Sequence, residues 1–253
     1  MRHLAVIICS LLLASLANAQ DAAPLLAWVM AGGSNPDVLS GLVAWWKLDG
    51  NANDSISTNN GIAYGATATN FNGRACYSFN GSSDYIRIPA SSDYKQNHLS
   101  YGALVYPRSK VAYGKVLCLD YRSDGSSYAP FVSLDLESSD GSTGIPVSRV
   151  SISGALYPYP GGANSGTRLA LNKWTFLMAT YDGTDLKLYQ NGSLKMTVSV
   201  AGVVDYGTSL DLSIGSYSPY YNRENFNGLI DDVRIYNRAL TSNEVVRIYN
   251  LYK

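Results

Sequence analysis

Phe226-Asn227-Gly228-Leu229-Ile230-Asp231-Asp232-Val233-Arg234-Ile235-Tyr236, running on into Asn237-Arg238-Ala239-Leu240-Thr241-Ser242-Asn243-Glu244, is the stretch that decides the fold. Its first part reads as a short strand. Successive residues of a strand point to opposite faces, so Leu229, Asp231, Val233 and Ile235 are expected on one side and Ile230, Asp232, Arg234 and Tyr236 on the other. Asp231 then shares a face with three core-type residues, where a carboxylate without a partner costs several kcal/mol. Its second part reads as a helix start. Thr241 can accept from the N–H of Glu244 while the Glu244 carboxylate returns a bond to the N–H of Thr241, which places the first helical residue at about Ser242. The helix carries Val245, Val246, Ile248, Tyr249 and Leu251, enough for one apolar face against a sheet and too short to span a bilayer.

Upstream of this block the chain is punctuated by glycine after Asp49, Asn60, Asn72, Asn80, Asp124, Asp140, Asp182, Asn191 and Asn227. Asn-Gly and Asp-Gly supply the positive φ that tight hairpins need, so this density between short apolar runs is an all-β signature. Trp174 to Tyr181, Leu186 to Gln190 and Leu194 to Val200, separated by Asp182-Gly183 and Asn191-Gly192, read as an antiparallel three-strand meander. About a dozen strands and a terminal helix predict two packed antiparallel sheets.

The chain of 253 residues opens with Met1, Arg2 and His3, an apolar run from Leu4 to Leu16, and Ala17-Asn18-Ala19, the pattern of a secretory signal peptide at 1–19. Residues 20–40, rich in Ala, Pro, Gly and Ser, read as a linker or N-terminal segment, and 41–253 as the domain. With 19 basic and 19 acidic residues there is no single-signed field, which argues against nucleic acid as a partner. Cys76 and Cys118 are the cysteines of the mature chain, and an export route permits either a disulfide or two buried thiols. Two histidines, one of them inside the leader, leave His98 alone and argue against histidine-dependent hydrolase or zinc chemistry.

Leu42-Val43-Ala44-Trp45-Trp46-Lys47-Leu48-Asp49-Gly50 with Ala52 to Ser55, Phe79-Asn80-Gly81-Ser82-Ser83-Asp84-Tyr85-Ile86, the Trp174 to Gly192 meander and the Phe226 to Glu244 block occur in one order. That order resembles LamG-like jelly-roll domains of the concanavalin A-like lectin/glucanase superfamily. The resemblance implies a two-sheet antiparallel jelly-roll β-sandwich with a short C-terminal helix, often holding a structural calcium, in exported proteins that bind glycans or extracellular protein partners. Fold does not fix function, so the site is argued from residues.

Three chemistries are open. Calcium takes several oxygens at once, and Asp49, Asn51, Asn53 and Asp54 supply them within six positions; if the first and last strands are neighbours, Asp231 joins the set. The alternative is that Asp49-Gly50 makes a turn, Asn53 and Asp54 cap a loop, and Asp231 binds backbone N–H groups. A saccharide platform is the second: tyrosine is abundant, with 20 residues, and many lie in turn-rich segments, notably Tyr157, Tyr159, Tyr217, Tyr220 and Tyr221 beside Asn222 and Arg223. Tyrosines filling space over sheet edges is the plainer reading. Glycoside hydrolysis is the third, and needs two facing carboxyls about 5–9 Å apart. Asp135-Leu136-Glu137 has one such spacing and lacks the rest of a glucanase pattern. The sequence therefore predicts a secreted, non-catalytic carbohydrate-binding module with a glycan or extracellular polysaccharide as partner and calcium as structural ion, and an adhesive protein-interaction module as the alternative.

Overall fold

A computed structural model describes residues 38–109, 113–121, 130–137, 144–158, 163–206, 211–217 and 224–253. The expected leader at 1–19, the segment up to residue 37, and Tyr159, Tyr220, Tyr221, Asn222 and Arg223 lie outside the described residues. In chain order the strands are β1 (Leu42–Trp46), β2 (Ile62–Tyr64), β3 (Thr67–Phe71), β4 (Arg74–Asn80), β5 (Tyr85–Ile88), β6 (Leu99–Pro107), β7 (Tyr113–Tyr121), β8 (Pro130–Glu137), β9 (Ile145–Ile152), β10 (Ala155–Tyr157), β11 (Thr175–Tyr181), β12 (Asp185–Gln190), β13 (Ser193–Ser199), β14 (Leu212–Ile214) and β15 (Asn227–Tyr236), followed by helix α1 (Ser242–Asn250). Ser40–Lys253 forms one compact unit.

All strand pairs are antiparallel and fall into two sheets. One has eight strands, in the order β13-β12-β11-β6-β15-β4-β3 with β1 also on β15; the other has seven, β10-β9-β8-β7-β14-β5-β2. The expected meander is present as β11, β12 and β13, and Asn191 and Gly192 supply its positive-φ turn, at φ 51° and 77°. Between the sheets lies one apolar layer. Trp46, Tyr101, Val105, Leu177, Leu188, Ile230 and Ile235 come from the eight-stranded sheet, and Ile86, Leu117, Leu119, Leu134, Val150 and Ile214 from the seven-stranded one. This is the two-sheet sandwich the turn pattern predicts, and it is consistent with the jelly roll the family resemblance implies.

The alternation expected for β15 does not hold along its length. β4 pairs with Asn227–Ile230, β1 pairs with Val233–Tyr236 on the same edge, and the β6 register shifts between Asp231 and Arg234. Asp232 sits in this bulge at φ 54°. The extra residue resets the phase, so that Ile230, Val233 and Ile235 join the core while Asp231, paired opposite Leu104, does not. The expectation that Asp231 shares the face of Val233 and Ile235 is thus overturned by a bulge placed where the strand changes neighbours.

Helix α1 starts at Ser242 with both halves of the capping box formed. Val245 and Ile248 are its buried apolar residues, whereas Val246 and Leu251 are exposed. Cys76 and Cys118 are buried, lie on different sheets and are not joined by a disulfide. No helix among the described residues is long and apolar enough to cross a membrane.

The cap carries a pH prediction. Burial opposes the Glu244 charge, but Arg238 and the N–H and O–H of Thr241 overcome it and hold the carboxyl at about 2 against an ordinary 4.5. A depressed carboxyl contributes stability that is present above its unfolded value and lost as pH falls through its folded one. Glu244→Gln is therefore expected to cost about 1–2 kcal/mol at pH 7. The gap from wild type should close between pH 4.5 and about 2, measured by denaturant unfolding at each pH.

Candidate functional site

The loop after β1 closes on itself. Leu48 at φ 61° and Gly50 at φ 94° make a tight turn, with the Gly50 N–H on the Leu48 carbonyl. Asn51 Oδ1 accepts from the Asn53 N–H at 2.8 Å, and Asp54 Oδ1 accepts from the N–H groups of Trp45 at 2.9 Å and Ile56 at 3.0 Å. Asp49, Asn51 and Asn53 are exposed and Asp54 is buried. The partner of Asp231 is Arg74, at 2.9 Å. Burial raises the Asp231 carboxyl to about 7 despite Arg74, and Asp232 and Asp49 push in the same direction. Asp54 Oδ2 alone of these carboxylate oxygens is buried without a partner among the described residues. Calcium takes roughly six to eight oxygens, and among the described residues no three His, Cys, Asp or Glu side chains form a metal-binding group. As arranged, Asp49-Gly50 lies in a turn, Asn51 and Asp54 bond backbone N–H groups of their own loop and of β1, and Asp231 pairs with Arg74.

Asp232 has a different role. Its carboxylate takes Nε and an NH2 group of Arg234, each at 2.9 Å, with the Trp45 indole N–H and the Tyr252 hydroxyl. The Arg234 guanidinium also lies 4.3 Å from the Trp45 ring centre. This cluster fastens the chain's last residues to β1 and β15.

The charged groups that face away from the core of the seven-stranded sheet form a floor across β7, β8 and β9. Asp135, fully buried, binds Lys115 Nζ at 2.9 Å and the Ser133 hydroxyl at 3.0 Å, and takes one arm of Arg149. The other arm of Arg149 holds Glu137. Lys115 Nζ reaches Glu224 at 3.2 Å and lies 5.4 Å from the Tyr217 ring, which brings the chain before β15 over the floor. Burial works against the charge on Lys115, but Asp135 and Glu224 outweigh it and raise its pKa; Asp135 and Glu137 do the same for Arg149. Asp135 Oδ1 and Arg149 Nε are buried and have no partner among the described residues. Towards the β2 edge, Tyr64 and Tyr85 stack at 4.9 Å and Tyr64 is exposed.

Of the predicted saccharide residues, the structure thus brings Tyr217 to the charged floor, where it is buried rather than a flat exposed platform. Tyr157, on edge strand β10, is half-buried and packs against the core. Asp135 and Glu137 share a face, as their spacing requires, but Arg149 binds both. Lys115, Arg149 and Glu224 were not legible as site residues; they meet only because the sheet sets β7 beside β8, β8 beside β9, and residue 225 against residue 115.

Two antiparallel sheets packed over one core define a jelly-roll sandwich. The model of the concanavalin A-like lectin/glucanases superfamily matches residues 80–246, and the chain belongs to that superfamily. No curated protein matches it in sequence. Among solved structures it is similar to domain 4 of AbnA, an extracellular GH43 arabinanase of Geobacillus stearothermophilus in complex with arabinotriose, with TM-score 0.64, 20% identity, and coverage of 83% of this chain and 98% of that one. The binding domain of botulinum neurotoxin DC in complex with SialylT gives TM-score 0.62 and 13% identity over 86% of this chain and 53% of that one. Trypanosoma rangeli sialidase in complex with the inhibitor DANA gives 0.61 and 16% over 87% and 34%. At these identities the likeness is one of fold.

Proposed function

We propose that this chain is an exported, non-catalytic carbohydrate-binding module whose site is the charged floor of the seven-stranded sheet. The observation that carries the reading is the pair of buried polar atoms without partners among the described residues, Asp135 Oδ1 and Arg149 Nε, an acceptor and a donor within one ion-paired network. Buried polar groups are satisfied in the great majority of native sites, and a bridging water, which both donates and accepts, can serve either atom and link the network to a saccharide lying over the more exposed Glu137 and Glu224. Asp135 fixes Lys115 and Arg149 in place, so that their remaining N–H groups and the outer carboxylates of Glu137 and Glu224 form a preset array for sugar hydroxyls. The floor suits hydrolysis poorly. A general acid must be held protonated near a second carboxyl, whereas Asp135 and Glu137 are both bound by Arg149. The leader-like residues 1–19 and the extracellular arabinanase domain with a bound arabinose oligomer support export and a saccharide partner.

A glycan array probed with the full chain tests this. At least one saccharide is expected to bind, and Glu224→Gln to weaken it about tenfold by removing a charge-assisted acceptor. The Glu224 side chain is 35% exposed, so its loss leaves the fold intact. An array blank for every saccharide overturns the reading and favours an adhesive protein-interaction module.

A further inference from the structure

We propose that the outer face of the eight-stranded sheet carries a second binding platform, formed by Phe71, Tyr106 and Trp174 with Arg74 and Arg108, for a polysaccharide bearing uronate carboxylates. Three half-buried aromatic rings follow one another there: Phe71 and Tyr106 centres lie 4.9 Å apart, Tyr106 and Trp174 5.4 Å. Elsewhere on this face the aromatic side chain of Phe176 is buried and lies beside Tyr249 and Tyr252 at the end of the chain. Phe71, Tyr106 and Trp174, by contrast, are each only half-buried.

Two guanidiniums flank the row. Arg74 lies 5.6 Å from the Trp174 ring centre and Arg108 5.9 Å from that of Phe71. Asp231 engages Arg74 at 2.9 Å. Arg108 is exposed and donates to the Ser78 hydroxyl at 3.0 Å, and among the described residues no carboxylate pairs with it. The platform thus has a surplus cation on a chain whose formal net charge is zero. Rings offer stacking to the apolar face of a sugar, and a guanidinium offers two parallel N–H donors to a carboxylate. A uronate residue carries both an apolar ring face and a carboxylate. A nucleic acid would call for a broad basic surface, which the neutral composition does not provide.

Affinity electrophoresis in polygalacturonate, against the same polymer fully methyl-esterified, tests the proposal. The charged polymer is expected to retard the chain and the ester to do so at least about tenfold more weakly, with added salt weakening the former. Trp174→Ala and Arg108→Gln should each cost about tenfold or more in affinity for polygalacturonate. Arg108 is exposed and its variant keeps the fold, so it decides the matter if Trp174→Ala is poorly folded. Absence of retardation, equal retardation by the two polymers, or an Arg108→Gln protein that binds like wild type overturns the proposal. Glu224→Gln should leave this binding intact. Loss with Glu224→Gln and not with Arg108→Gln would move the binding to the seven-stranded sheet and overturn it as well.

Discussion

Asp232→Ala is expected to lower the unfolding free energy by about 3–5 kcal/mol, as removal of one partner from a buried ion pair does. The physical reason is what the carboxylate leaves behind. Arg234, 3% exposed, loses its anion, and the Trp45 indole and Tyr252 hydroxyl lose their acceptor. Alanine is also disfavoured at the φ of 54° that the bulge imposes, by about 1–2 kcal/mol. Asp232→Asn separates these contributions, because Asn tolerates that conformation and keeps one acceptor while losing the charge; it should fall between Ala and wild type. The Asp232 carboxyl is held below its ordinary 3.8, burial opposing the charge and Arg234 prevailing. A depressed carboxyl contributes above its unfolded value, so the Ala penalty should be full at pH 7 and shrink as pH falls below about 4. Urea unfolding of the three proteins at pH 7 and pH 3 measures this, and an Asp232→Ala protein within about 0.5 kcal/mol of wild type would refute the ion-pair account.

The same bulge marks the boundary between what the sequence reveals and what it hides. Local patterns were legible: the Thr241 and Glu244 capping box, the Asn191-Gly192 turn, and the β11 to β13 meander each depend on residues within a few positions of one another. The faces of β15 were not, because its alternation breaks where β4 gives way to β1, and neither neighbour is visible from within the strand. Asp231 needed a partner, as its position implied, but that partner is Arg74, 157 positions away. The spacing of Asp135 and Glu137 correctly set them on one face, yet their chemistry is decided by Arg149 on the next strand. Tyr106 and Trp174 lie in or beside strands, and their half-exposure depends on what packs against the outer face of the sheet, which residues near them in sequence do not reveal.

Asp135→Ala should be as costly as Asp232→Ala, about 3–5 kcal/mol, because it leaves two cations under cover. Lys115 and Arg149 side chains are 6% and 3% exposed, and Asp135 is the group that both contact. Glu224→Gln, by contrast, touches a 35% exposed side chain and should cost at most about 1 kcal/mol. Stability and saccharide binding are thereby expected to separate within one network, Asp135 governing the first and Glu224 the second. A triple replacement of Lys115, Asp135 and Arg149 by apolar residues of similar volume sharpens the point. Buried ion networks replaced whole by well-packed apolar groups are often neutral or more stable, so the triple variant should recover most of the stability that Asp135→Ala loses. If it does so and the array falls silent, the network is held for binding rather than for folding. If the triple variant is as unstable as Asp135→Ala, the charges are structural, and the binding site must be sought elsewhere on the sandwich.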